Sequence, residues 1–96
     1  MDDPQLFDEL LQAARQLQVE VRIEPFETAA TRGGGLCIVR GEKLVLLDQH
    51  ATLPDRISGL ARALADLDHD TIYLAPEARA LIEGVWSHRN RNRAPE

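Results

Sequence analysis

Two short runs, Leu36-Cys37-Ile38-Val39 and Leu44-Val45-Leu46-Leu47, are apolar at every position and are separated only by Arg40-Gly41-Glu42-Lys43. Their length and the polar turn between them predict a β-hairpin. Strands without apolar/polar alternation have no face suited to water and are usually covered on both sides. The sheet is therefore expected to carry helices, or a second subunit, on each face. Val19-Glu20-Val21-Arg22-Ile23-Glu24 behaves differently. It alternates with period two, which predicts a strand with one wet face, ended by Pro25.

Helical periodicity flanks these strands. Asp3-Pro4 is a suitable helix opening, and Leu6, Leu10, Ala13, Ala14 and Leu17 follow at helical spacing, predicting a helix over about residues 4–17. Thr52-Leu53-Pro54-Asp55 resembles a capping box with Asp in place of Glu, and Ile57, Leu60, Ala61, Leu64 and Leu67 continue the stripe. Gly59 lies inside that helix, where it costs about 1 kcal/mol relative to Ala and marks close packing against a neighbour. Thr71-Ile72-Tyr73-Leu74 reads as a short fourth strand. Pro76-Glu77 opens a last helix with Ala78, Leu81, Ile82, Val85 and Trp86 on one face.

The expected order is helix, strand, strand, strand, helix, strand, helix: an α+β fold with a small, mostly antiparallel sheet covered by helices. Its 96 residues suit a single domain, placed at 1–88, with 89–96 as a flexible basic tail. At 44% apolar and 28% charged residues the chain falls in the ordinary globular range, so disorder throughout is not expected. With Cys37 as the single cysteine, no internal disulfide can form. Met1-Asp2-Asp3-Pro4 lacks the positive start and apolar run of a signal peptide, and no segment has the roughly 18 apolar residues of a membrane span. The expected location is the cytoplasm.

Charge and composition narrow the partners. The net charge is −5 although Arg89, Arg91 and Arg93 make the C-terminal segment basic, so the acidic charge lies on the body. Phosphate binding needs a basic face, and base stacking needs exposed aromatic rings, which make up 4% of this chain. The expectation is no nucleic acid and no membrane as partner. The tail His88-Arg89-Asn90-Arg91-Asn92-Arg93 has no base-reading element beside it and reads as solubilising.

The chemical motifs are incomplete. Gly33-Gly34-Gly35 leads into a strand with no Gly-Lys-Ser/Thr after it, whereas a phosphate loop follows a strand and opens a helix. Residues 27–35 are expected to form a mobile connection. Cys37 falls in an apolar strand, and His50, His69 and His88 form no pair at the local spacing typical of zinc sites. Arg62, Asp66 and His69 lie within two helical turns, an arrangement more typical of surface ion pairs than of a catalytic cleft. No catalytic residue, cofactor or resident metal is predicted, and the chain is not expected to be an enzyme.

The acidic run supplies the alternative. Asp66, Asp68, Asp70 and Glu77 occupy positions one, three, five and twelve of an EF-hand loop, whose oxygens wrap a calcium ion. Thr71 stands where the sharp turn requires Gly, and Pro76 precedes the Glu that would bind bidentately. Without metal, the same residues describe a solvated helix end and a Glu favoured in the first turn of a helix. The first expectation is a non-catalytic protein-interaction or regulatory module, working through a protein partner or as a homodimer. Phe7, Leu11 and Trp86 are its candidate contact residues. A calcium-binding domain is the alternative.

The layout over residues 6–68 resembles the N-terminal part of ImmA/IrrE-type zinc metallopeptidases. It has a leading helix, an alternating strand, a glycine-bearing segment, a hairpin, and a helix carrying Leu60-Ala61-Arg62-Ala63-Leu64-Ala65-Asp66. In that family the helix carries Ala-His-Glu-Leu-Gly-His, whose two His bind zinc while Glu acts as general base. Here only Ala61 and Leu64 match the framework; Arg62 and Asp66 stand at the ligand positions and Ala63 at the base position. The resemblance implies a zincin-like scaffold without the chemistry. The chain is also similar to short bacterial proteins that combine Gly-Gly-Leu-Cys (Gly34 to Cys37), a hairpin and Ile-Tyr-Leu-x-Pro (Ile72 to Pro76). That likeness implies a domain type and no activity.

Overall fold

A computed structural model describes residues 1–25 and 35–92, with side-chain surroundings for these except at Cys37, Val39 and residues 86–92. The order is α1 (Asp3–Gln16), β1 (Val19–Glu24), β2 (Gly35–Val39), β3 (Glu42–Asp48), α2 (Leu53–Ala65), a short 3-10 turn (His69–Thr71) and α3 (Pro76–Asn92). The glycine run, apart from Gly35, and residues 93–96 of the tail lie outside the described residues, as do the side chains of Cys37, Trp86 and His88.

Local chemistry sets the helix ends. The N-cap of α1 is Asp2, one residue before the expected Asp3. Its Oδ1 accepts from the Gln5 backbone N–H at 3.0 Å, while Gln5 Oε1 accepts from the Asp2 N–H at 3.3 Å. Gln18, at φ 62, turns the chain from α1 into β1. Thr52 caps α2, its Oγ1 accepting from the Asp55 N–H at 3.2 Å. The helical backbone of α3 continues to Asn92, past Ser87 where the sequence suggests a polar tail.

The sheet has the order β1-β3-β2. β2 and β3 form the expected antiparallel hairpin, but its loop is only Arg40-Gly41. Both residues have positive φ, 53 and 81, as two-residue hairpin loops of type I′ require. β1 pairs with β3 in parallel, Val19 opposite Lys43 through Glu24 opposite Asp48. The expectation of a mostly antiparallel sheet is thereby corrected: the central strand has one parallel and one antiparallel neighbour. The physical reason lies in β3, whose main-chain groups point alternately to either side and bond β1 along one edge and β2 along the other, so the second strand of the hairpin takes the centre.

The fourth strand is corrected too. His69–Thr71 form the 3-10 turn, and residues 72–75 lack ladder pairing. The Thr71 N–H and Oγ1–H both donate to the Asp68 carbonyl, at 3.1 and 2.7 Å, and the Ile72 carbonyl accepts from the Arg79 guanidinium at 3.0 Å. Side-chain and turn bonds thus occupy backbone groups that a strand would use.

The helices lie on one face of the sheet. Val19, Val45 and Leu47 share that face and are buried with Leu10, Leu60 and Leu64. α2 is the central element, touching both other helices as well as β2 and β3. This position explains why Ile57, Gly59, Leu60, Ala61, Ala63, Leu64 and Ala65 are all buried: small residues let neighbours approach from several sides. α3 closes the core with Ala78 and Ile82. On the opposite face, Leu44 and Leu46 are half-buried beside Glu20 and Arg22. Among the described residues no helix covers that face, so of the two covers expected for each face, helices or a second subunit, helices occupy one face only.

Candidate interaction site

The acidic run forms the link between α2 and α3. Asp66 is the C-cap of α2, and Asp68 precedes the 3-10 turn. His69 is buried, and its Nδ1 lies 2.9 Å from the Leu67 carbonyl. A carbonyl only accepts, so Nδ1 carries the proton. Asp66, Asp68, Asp70 and Glu83 line a surface depression of about 410 Å³. Asp70 Oδ1 lies 3.6 Å from Arg79 Nη1, which also approaches Glu83 Oε2 at 3.3 Å. A cation is therefore already built into this cluster.

Glu77 is turned to another task. Its Oε1 accepts from the α-amino group of Met1 at 2.8 Å, and this bond holds the amine's pKa above its ordinary value. The EF-hand set is thus divided, with Asp66, Asp68 and Asp70 on one depression and Glu77 against the N-terminus. Among the described residues no three His, Cys, Asp or Glu side chains gather in a metal-binding arrangement. His50 is exposed and apart from His69, its backbone N–H bonded to Asp48 Oδ1 at 3.0 Å. In α2, Arg62 and Asp66 are exposed, whereas Ala63 is buried in the core.

The second surface is the outer edge of β1. The Gln49 N–H donates to the Glu24 carbonyl at 2.8 Å, so the main-chain groups of Glu24 face β3. Strand alternation then directs those of Glu20 and Arg22 the same way, and those of Val19, Val21 and Ile23 outward. Among the described residues no strand meets this edge. Beside it runs a groove of about 390 Å³ whose walls include Leu11 and Arg15 of α1 and Val19, Val21 and Ile23 of β1. Ile23 is 42% exposed, although it shares the helix-side face with buried Val19.

The opposite face of β1 is charged. Arg22 Nε lies 2.8 Å from Glu20 Oε2, and Nη1 lies 3.8 Å from Glu24 Oε2. The hydrogen bond to Glu20, followed by its charge, raises the arginine pKa. All three side chains are about half exposed, leaving the row open to an incoming chain. Leu11, one of the candidate contact residues, forms part of the groove wall. The edge itself could not be found without knowing strand order. The only sequence signal for it is the charged alternation ended by Pro25, a composition common on unprotected strands.

Comparison with protein-family models, curated proteins and solved structures finds no match to this chain. Its architecture is small α+β, and among the described residues no helix is long and apolar enough to cross a membrane.

Proposed function

We propose that this chain is a non-catalytic interaction module that takes up an extended segment of a protein partner along the edge of β1. The observation that carries this reading is the outward main chain of Val19, Val21 and Ile23 beside a groove walled by Leu11. Strand addition of this kind draws affinity from main-chain hydrogen bonds and specificity from alternate side chains entering a groove. The acidic body favours a protein over a nucleic acid or anionic lipid surface, and the cytoplasm is the proposed site of action.

The non-catalytic part of the reading draws on α2. On the ImmA/IrrE likeness, the general-base position is Ala63, which is 4% exposed within the core, and one ligand position is Arg62, which only donates. The helix then serves as scaffold.

Affinity capture from cell extract, with wild type compared against Val21→Pro, tests the reading. Proline removes an N–H that faces away from β3 and spares the β1–β3 ladder. Proteins held by wild type and by a Gly84→Ala control should be lost with Val21→Pro. Added bulk at Gly84 meets nothing within 4 Å. Capture indifferent to Val21→Pro would refute strand uptake at this edge.

A further inference from the structure

We infer that the extended segment is β1 of a second copy, paired antiparallel about a two-fold axis at Val21; this rests on the strand-uptake reading above. Two registers place the strands squarely against each other, and side-chain charge separates them. Centred on Arg22, the pairing sets Arg22 against its own copy and Glu20 against Glu24 of the partner. Every charged contact is then repulsive. Centred on Val21, it sets Glu20 against Arg22 of the partner and Arg22 against the partner's Glu20, so both charged contacts are attractive.

Main-chain direction agrees with the second register. Because the groups of Val21 face outward, the two Val21 residues exchange both N–H···O bonds across the axis, and Val19 does the same with the partner's Ile23. On the helix side the match is apolar. Ile23, 42% exposed in the single chain, comes to lie opposite Val19 of the other copy, against the groove beside Leu11. On the far side, Glu20 and Arg22 already bond within one strand at 2.8 Å, so the same groups exchange partners between strands. Pro25, immediately after β1, ends the pairing because it has no N–H to give. The product is a continuous six-stranded sheet with all helices on one face.

Light scattering after size exclusion, over about 1–500 µM, reads the mass directly. Wild type should be dimeric at the upper end. Glu20→Arg and Arg22→Glu each create like-charge pairs and should weaken the dimer about ten-fold or more when alone. Mixed in equal amounts, they should dimerise again, since a strand with Glu at both positions then faces one with Arg at both. Val21→Pro should be monomeric, and the charge variants decide the matter if that variant fails to fold.

A wild type that stays monomeric throughout overturns self-pairing; the capture comparison with Val21→Pro then decides separately whether another protein's strand is taken up. Dimerisation that Glu20→Arg strengthens overturns the Val21 register, because that change relieves repulsion only when Glu20 faces Glu24. A dimer that survives Val21→Pro overturns β1 as the interface.

Discussion

Arg79 Nη2 donates to the Ile72 carbonyl at 3.0 Å, while Nη1 of the same guanidinium faces Asp70 at 3.6 Å. One side chain thus fastens the approach to α3 onto the acidic turn and neutralises part of its charge. Replacement by Met keeps most of the stem but removes the fork. The side chain is one-third exposed, so solvent screening brings the expected loss to about 1 kcal/mol, below the ~1.5–3 kcal/mol of hydrogen bonds to charged groups. Urea unfolding measures it. Lys should recover only part, because an ammonium cannot bridge both sites as a planar fork does.

Calcium should leave the protein unchanged. Asp70 already faces Arg79 and Glu77 holds the Met1 amine, so two of the four carboxylates of an EF-hand set are engaged. Thermal melting with millimolar calcium or with chelator should superimpose. Binding to the native state would raise the midpoint by mass action, and such a rise would restore the calcium reading.

The Met1–Glu77 contact predicts a defined pH dependence. The folded chain raises the amine's pKa above 8.0, so it favours the charged form more than the unfolded chain does. The resulting stabilisation is fully present below pH 8.0 and disappears as the pH rises through the raised folded value. Glu77→Gln should therefore be less stable than wild type at pH 7, with the gap narrowing above pH 8. Urea midpoints for both proteins at matched pH test this.

Two turn positions hold residues unsuited to their backbone. Gln18 at φ 62 follows α1 where glycine is usual, and Arg40 at φ 53 occupies a hairpin loop that favours Asn. Gln18→Gly and Arg40→Asn should each raise stability, by up to about 1 kcal/mol. A fall in the melting temperature of either variant would show that the native side chain contributes more than the strain removes.

Leu60 and Leu64 are completely buried in α2. Truncation of either to Ala should destabilise by about 2–5 kcal/mol, a large share of the ~5–15 kcal/mol available to a domain. The urea midpoint should fall with an unchanged slope, and a changed slope would indicate a change in the compactness of one of the end states.

The helices and the hairpin were legible because each writes its own period into the chain: Leu10, Ala13 and Ala14 at helical spacing, and two apolar runs around Arg40-Gly41. The pairing of β1 was not. Val19 to Ile23 alternate in the same way whether the neighbour runs parallel or antiparallel, and sequence does not say which strand takes the middle of the sheet. At Ile72 and Tyr73 the residue types favour a strand, yet Arg79 lies seven residues beyond Ile72, outside a local reading, and takes its carbonyl. Tyr73 ends 75% exposed. The acidic run was visible in full, but the split between Asp70 and Glu77 depends on Arg79 and Met1, one of which lies at the far end of the chain.

The parallel seam between β1 and β3 also orders events in time. The β2–β3 turn brings neighbours in sequence together and can close within microseconds, whereas β1 must await a strand made only after β2. During synthesis β1 therefore waits, with both flanks unoccupied, until β3 has been made. Dilute conditions, in which β3 of the same molecule is the nearest acceptor, should favour its correct capture; crowded refolding should favour entanglement between chains.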